Sequence, residues 1–293
     1  MESKKTKAFE LPFKDGLSDS SRTLYRKNLE KLNGGEPIKN LNFLKNPTDV
    51  LEKLKGYKPN TVRSYIISVC SVLGDDKSKK VLKGYTDILV NLNSEIRKNP
   101  TVNAPKIGWK DVLDTYQKLK TKFDAIRTLN DRNYNSYLEC LVLSLYVLQA
   151  PRRNDFQNMY IVKTWSEDLP FDRNYYCVSS NREIFNIFKT SKKDGQLILD
   201  CPAELQKIIM QSIKLRGIKK LDTENALLTN ADGSNFKHLN SITRILNGIF
   251  KPVKIGSSQL RHIYVSEKYG DNIDERVKDS KACLLYTSDA ADE

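Results

Sequence analysis

The sequence predicts a mainly α-helical protein with a small antiparallel β-sheet, an α+β fold of two domains. Apolar residues recur at the three- and four-residue spacing of amphipathic helices through most of the 293 residues. Residues 175–202 are instead rich in the β-branched and aromatic residues that favour strands. In residues 99–106 the periodicity stops at a run of Asn, Pro and Thr, which is typical of a linker between domains.

The region before this linker is predicted to be a helical domain over residues 17–98, preceded by a flexible N-terminus at residues 1–16. The first three helix starts carry a capping residue or a proline that fits the first helical turn. Lysines and arginines occupy the polar faces of these helices, so the domain is expected to be basic. The predicted helices begin after Ser18, after Asn46 and at Pro59, and the fourth covers residues 85–96.

The region after the linker, residues 107–282, is predicted to be a second domain that contains the sheet. Residues 138–148 are almost wholly apolar, which indicates a helix at the centre of a core. A polar turn at residues 191–195 is expected to join two strands. The predicted helices cover residues 109–123, 133–149, 203–214, 241–250 and 259–269, and the predicted strands cover residues 175–178, 183–188 and 197–199.

The charge of the chain favours a polyanionic partner. There are 49 Lys and Arg residues against 36 Asp and Glu residues, which gives a formal net charge of +13. Double-stranded DNA is the first candidate partner. The alternative is that a lysine-rich surface serves only solubility.

Cysteine and histidine usage predicts neither a metal site nor a disulfide framework. The five cysteines include no Cys-x-x-Cys pair, and there are only two histidines, so we expect no metal and no cofactor. Cys70 and Cys140 have apolar neighbours and are predicted to be core residues of a reduced, intracellular protein. The sequence has no signal peptide and no apolar stretch long enough to cross a bilayer, so no membrane association is expected. The five are Cys70, Cys140, Cys177, Cys201 and Cys283.

Three basic residues lie at the boundaries of predicted elements, where a rigid scaffold usually presents functional groups. They are Arg152, Lys189 and Arg261. Arg152 directly follows the apolar helix, which places a guanidinium at the edge of the core. The alternative for Arg152 is a surface arginine that pairs with Asp155.

The order of these elements resembles the tyrosine recombinase (phage integrase) family across nearly the whole chain. Residues 150–156, Ala-Pro-Arg-Arg-Asn-Asp-Phe, are similar to the first arginine box of that family, with Arg152 and Asp155 in register. Residues 185–202 are similar to its lysine-bearing hairpin, and residues 258–265 contain the Leu-Arg-His of its second box. The basic first domain is similar to the core-binding domain. The resemblance implies a catalytic domain over residues 107–282.

The resemblance also implies a chemistry and a set of residues. A tyrosine would attack a DNA phosphodiester and form a 3′-phosphotyrosyl bond. Arg152 and Arg261 would bind the phosphate oxygens with their forked donors, and Lys189 would protonate the leaving 5′-oxygen. Lys192 and Lys193 are alternative candidates for that proton transfer. Otherwise they would contact the DNA backbone, as is expected of Arg63 in the first domain. The expected partners are DNA and three further copies of the chain in a tetramer.

One position departs from the family pattern. Three residues before Arg261 the family commonly has histidine or lysine, whereas this chain has Ser258, which cannot be a cation. The departure therefore predicts that DNA cleavage is slower than in the family, or that His262 shares the acid–base role of this position. The resemblance implies that His262 braces the helix and orients the neighbouring side chains.

We expect the nucleophile to be missing. The segment 283–293 has no helical apolar stripe and resembles the translated sequence of an adapter used in DNA sequencing libraries. Tyr286 lies in this segment, nearer to Arg261 than the family's nucleophile, and is not assigned as catalytic. The expectation is a truncated recombinase that binds DNA without cleaving it.

Two alternatives stay open beside a site-specific recombinase of a mobile element or a virus. A type IB topoisomerase would use a similar site to nick one strand. A catalytically inactive DNA-binding relative would fit the serine at position 258. Each would act inside the cell, wherever its DNA is.

Overall fold

A computed structural model of the chain describes residues 9–74, 79–98, 107–238 and 240–269. The chain divides into two compact units, residues 1–103 and 104–293. The boundary between them falls in the predicted linker, whose residues lie outside those described. The described residues form ten α-helices and four β-strands, so the protein belongs to the α+β class.

The first unit is helical, and its helix starts follow the predicted capping residues. The Ser18 side chain accepts a hydrogen bond from the Ser21 backbone N–H, and the Asn46 side chain accepts one from the Thr48 N–H. These bonds satisfy N–H groups that the first turn of a helix leaves without a partner. The helices are α1 (Asp19–Leu32), α2 (Pro47–Lys53), α3 (Pro59–Cys70) and α4 (Lys79–Lys98).

The core of the first unit contains the apolar stripes that predicted its helices. Leu29, Val50 and Ile66 are fully buried, and the Tyr85 hydroxyl donates to the Leu44 carbonyl oxygen at 2.9 Å. The described part of the segment 1–16, which the sequence predicts to be flexible, contacts this core. Leu11 is buried in this core, because the chain from residue 9 onward packs against α3 and the turn after it.

The second unit is built around one buried helix, as predicted. Leu141, Val142, Leu143 and Leu145 are all fully buried, and Cys140 beside them is a buried free thiol. The helices of this unit are α5 (Trp109–Asp124), α6 (Asp131–Val147), the single turn α7 (Ser191–Asp194), α8 (Ala203–Leu215), α9 (Ser241–Ile249) and α10 (Ser257–Tyr269).

The sheet is mixed rather than antiparallel, which corrects the prediction. A strand that the sequence did not reveal pairs in parallel with the first predicted strand, with Tyr160 opposite Tyr175. This strand has only four residues, three of them buried, so it shows no alternation of apolar and polar residues. The strands are β1 (Met159–Val162), β2 (Asn174–Cys177), β3 (Arg182–Phe185) and β4 (Leu197–Asp200), in that order across the sheet.

The strand that was predicted to approach Lys189 ends earlier, at Phe185. The backbone N–H groups of Asn186 and Ile187 donate to the Asn174 side chain instead of to a neighbouring strand. The predicted turn at residues 191–195 contains the short helix α7, which ends at Gly195 with φ of +73°. Lys189 therefore lies on a connection between β3 and α7 rather than on a strand.

Candidate functional site

Arg152 lies at the end of α6, and its side chain is buried. Only 2% of the residue is exposed, its Nη2 atom is 3.4 Å from Asp155 Oδ2, and its guanidinium lies 3.9 Å from the ring centroid of Phe185. An aromatic face attracts a cation most strongly where water is excluded. Arg152 thus joins the turn after α6 to strand β3.

Two buried carboxyl groups share this environment. Burial raises the pKa of Asp155, although the charges of Arg152, Arg153 and Arg261 lower it in part. Burial raises the pKa of Glu183 to about 7, while a hydrogen bond from Gln149 and the charge of Arg152 act in the opposite direction. The side chain of Arg152 thus offsets the cost of burying two acids.

Asn154 connects the arginine turn to two later helices. Its Nδ2 atom donates to Thr243 Oγ1 at 3.2 Å, and its Oδ1 atom accepts a hydrogen bond from Ser257 Oγ at 2.9 Å. Thr243 lies in α9, and Ser257 is the first residue of α10. The start of α10, which carries the predicted Ser258 and Arg261, is therefore held beside the residues that follow Arg152.

Asn174 joins the arginine turn to the segment between β3 and α7 that carries Lys189. This residue is 1% exposed, and its Nδ2 atom donates to the carbonyl oxygens of Asp155 and Ile187. Its Oδ1 atom accepts hydrogen bonds from the N–H groups of Asn186 and Ile187. All four hydrogen-bonding capacities of the amide are in use, so this side chain fixes the path of the chain towards Lys189.

A cleft of about 650 Å³ lies where these segments meet. It brings together two of the predicted site residues, Lys189 and Ser258, both of which are exposed. The cleft is also lined by two cations that are not among the predicted site residues, Arg153 and Lys237. The lining residues are Arg153, Asn154, Asp155, Gln157, Asn158, Asn174, Ile187, Phe188, Lys189, Phe236, Lys237, Thr243, Ser257 and Ser258.

The other residues of the predicted second box do not line this cleft. Arg261 is 8% exposed and lies near Asp155, whose pKa its charge lowers. His262 is exposed on α10. A bracing role for His262 stays a prediction.

The predicted DNA contacts outside the cleft have different surroundings. Lys192 and Lys193 are exposed on α7 and do not line the cleft. In the first unit, Arg63 is half-buried on α3, and its Nε atom donates to Asn93 Oδ1 at 2.6 Å. The structure therefore places Lys189, and not Lys192 or Lys193, beside the arginine turn.

Tyr146 lies close to the two buried arginines, Arg152 and Arg261, whose charges act on its hydroxyl. Tyr146 is fully buried, its hydroxyl donates to the Arg153 carbonyl oxygen at 2.9 Å, and burial raises its pKa. Such a hydroxyl is a structural group rather than an accessible nucleophile. Tyr286 and the segment 283–293 lie outside the described residues.

The described part of the chain has no group of three or more His, Cys, Asp and Glu side chains that could hold a metal ion. Within that same part, no helix combines the length and apolar character needed to cross a bilayer.

Comparison with models of known protein families gives no match for this chain, and comparison with curated proteins gives none either.

Proposed function

We propose that the chain is a DNA strand transferase of the tyrosine recombinase type, whose cleft in the second unit receives the scissile phosphodiester. One observation carries this proposal. Lys189, Ser258 and residues 153–155 of the arginine turn come from three distant parts of the sequence and meet at a single cleft. The net charge of +13 supports a polyanionic substrate.

The reaction needs fixed cations, a proton donor and a tyrosine, and no tyrosine of the described residues is assigned as the nucleophile. Negative charge grows on the phosphate oxygens in the transition state and is stabilised by fixed cations. The tyrosine hydroxyl gives its proton to solvent as its oxygen bonds to phosphorus, while the bond from phosphorus to the 5′-oxygen breaks and that oxygen takes a proton from the general acid. Lys189 is exposed in the cleft and is the general acid of this proposal. The first turn of α10, at Ser257 and Ser258, adds the positive end of a helix dipole.

The partners follow from this function. Duplex DNA is bound by both units, with Arg63 of the first unit and Lys192 and Lys193 of the second on its backbone. Strand exchange takes place in a tetramer of the chain, at DNA of a virus or a mobile element inside the cell. Because the bond energy is kept in the phosphotyrosyl link, the reaction uses no cofactor.

A second candidate function is DNA binding without catalysis. It is favoured by Ser258, which lines the cleft where the family pattern has an ionisable side chain. The two functions differ in whether the chain accelerates cleavage of a phosphodiester.

A cleavage assay with an added nucleophile separates them. A preferred duplex is first selected from random DNA, and the chain is then incubated with it and hydrogen peroxide as a substitute for tyrosine, with a metal chelator present. We expect strand cleavage, which Lys189→Ala lowers by about 10²- to 10⁴-fold, the usual contribution of a general acid. Lys220→Ala is the matched control, and we expect a change of less than about threefold, because Lys220 is exposed, pairs with Asp222 and lies outside the cleft lining.

A modified substrate shows whether Lys189 acts as the acid. If a sulfur atom replaces the 5′-oxygen, the leaving group needs no proton, so Lys189→Ala should then cleave as fast as the unchanged chain. DNA binding without cleavage of either substrate would support the inactive relative. A loss in Lys192→Ala that Lys189→Ala does not share would contradict the assignment of the acid.

A further inference from the structure

The two adjacent arginines of the turn after α6 have opposite environments. Arg152 is 2% exposed, pairs with Asp155 and lies over the Phe185 ring. Arg153 is half-buried and lines the cleft, which Arg152 does not. The resemblance to the recombinase pattern selects Arg152 by register, whereas the arginine that lines the cleft is its neighbour Arg153.

The Arg153 guanidinium has no carboxylate within ion-pair distance in the part of the chain that the structure describes. Asp155 is the nearest candidate in sequence, and its carboxylate is 3.4 Å from Arg152 Nη2. The backbone of Arg153 is fixed, since the Tyr146 hydroxyl donates to its carbonyl oxygen at 2.9 Å. A cation is therefore presented to the cleft from a rigid turn, and the neighbouring acid is already engaged.

The surroundings of Arg153 suit a phosphate. Among the described residues that line the cleft, the cations are Arg153, Lys189 and Lys237, and the single acid is Asp155. Thr243 and Ser258 add hydroxyl groups to the lining. A volume of about 650 Å³ is large enough for a phosphate with part of the sugar on either side. Arg153, Lys189 and Lys237 thus all line the space in which a phosphate would lie.

We propose that Arg153, assisted by Lys237, binds the phosphate in this cleft, while Arg152 holds the arginine turn against β3. A guanidinium offers two parallel donors to two phosphate oxygens, which an ammonium group does not. The assignment rests on the proposed function only in that the phosphate belongs to DNA. Binding of an isolated phosphate ion to Arg153 does not depend on it.

The test follows the Nε–Hε signals of arginine in the 293-residue chain by NMR, after selective labelling of arginine with ¹⁵N. The Arg153→Lys variant identifies the Arg153 signal, and proximity to the Phe185 ring identifies that of Arg152. The probes are inorganic phosphate and the selected DNA duplex, added separately. We expect both probes to shift the Arg153 signal, with saturation, and to leave the Arg152 signal in place.

A binding measurement gives the size of the effect. Arg153→Gln should weaken binding of the duplex about tenfold and lower the slope of log affinity against log salt by about 0.9, the value for one phosphate contact. Arg182→Gln is the control, because Arg182 is exposed, pairs with Asp200 and lies outside the cleft lining. We expect less than a twofold change for that variant.

The outcomes separate the two proposals. A shift of the Arg152 signal without one of Arg153, or no arginine shift with inorganic phosphate, would overturn the assignment of Arg153. A shift with inorganic phosphate but none with DNA, together with absence of DNA cleavage, would support Arg153 as the phosphate ligand and overturn the DNA function. Shifts with both probes, lost binding in Arg153→Gln and an unchanged control would support both.

Discussion

Replacement of Asn174 by aspartate should lower the free energy of unfolding of the second unit by about 4 kcal/mol, because two buried carbonyl oxygens lose their donors. These are the carbonyls of Asp155 and Ile187, and the new carboxylate would face both of them at hydrogen-bond distance. For a unit of this size, we expect a fall in Tm of about 10 °C. Thermal unfolding followed by circular dichroism measures the change.

The control for this variant is Asn158→Asp, which makes the same chemical change on an exposed side chain. Asn158 lines the same cleft, but its amide makes one described hydrogen bond, to the Asp172 carbonyl oxygen. We expect a loss of less than about 1 kcal/mol. An equal loss in both variants would show that Asn174 is no more than a surface asparagine, and would contradict its role in directing the chain towards Lys189.

Replacement of Arg152 by leucine should cost about 4 kcal/mol, because it leaves the carboxyl groups of Asp155 and Glu183 buried without the cation that faces them. Urea unfolding of the variant and of the parent chain at one pH measures this loss. Arg182→Leu is the control, and we expect a change of less than about 0.5 kcal/mol, since its ion pair with Asp200 is exposed.

The cost of losing Arg152 should depend on pH through Glu183. The pKa of Glu183 is about 7 in the folded chain against an ordinary value of 4.5, so the folded chain binds this proton more tightly than the unfolded chain. The stability from this group is therefore full below pH 4.5 and is lost as the pH rises through about 7.

Without Arg152 the folded pKa of Glu183 rises further, because the charge of Arg152 lowers it in the parent chain. The loss in Arg152→Leu should thus be greater at pH 8 than at pH 5, by up to about 1.4 kcal/mol, because pH 8 lies about one unit above the parent pKa of about 7. Equal losses at pH 5 and pH 8 would contradict the electrostatic interaction of Arg152 with Glu183.

The helices could be predicted because local signals agree with their packing. Ser18 and Asn46 are caps in the structure as in the sequence, and the apolar run of α6 is buried. Strand β1 could not be predicted, since four residues without alternation fit a helix or a loop equally well. Its parallel pairing with β2 is set by the tertiary structure, which no local pattern contains.

The site could be predicted in part. The residue order selected Lys189 and Ser258, and both line the cleft. The residue order could not show which of Arg152 and Arg153 lines the cleft, because two adjacent arginines differ only in the direction of their side chains. That direction depends on the extended backbone of Arg153 and on the Phe185 ring, which lies more than 30 positions later in the chain.

Asn174 could not be found from the sequence for a related reason. Asparagine before a strand usually indicates a turn, and nothing local shows that its amide reaches Asp155 and Ile187. Lys237 follows a loop in which lysine is an ordinary surface residue. The roles of Asn174 and Lys237 depend on segments that come together only in the folded unit.

The most direct measurement is a crystal structure of the chain bound to the selected DNA duplex. We expect one backbone phosphate inside the cleft of the second unit, within hydrogen-bond distance of the Arg153 guanidinium and of Lys189 Nζ, with Arg152 still packed on Phe185. A complex in which the DNA lies on another surface, and this cleft contains no phosphate, would contradict the proposed function.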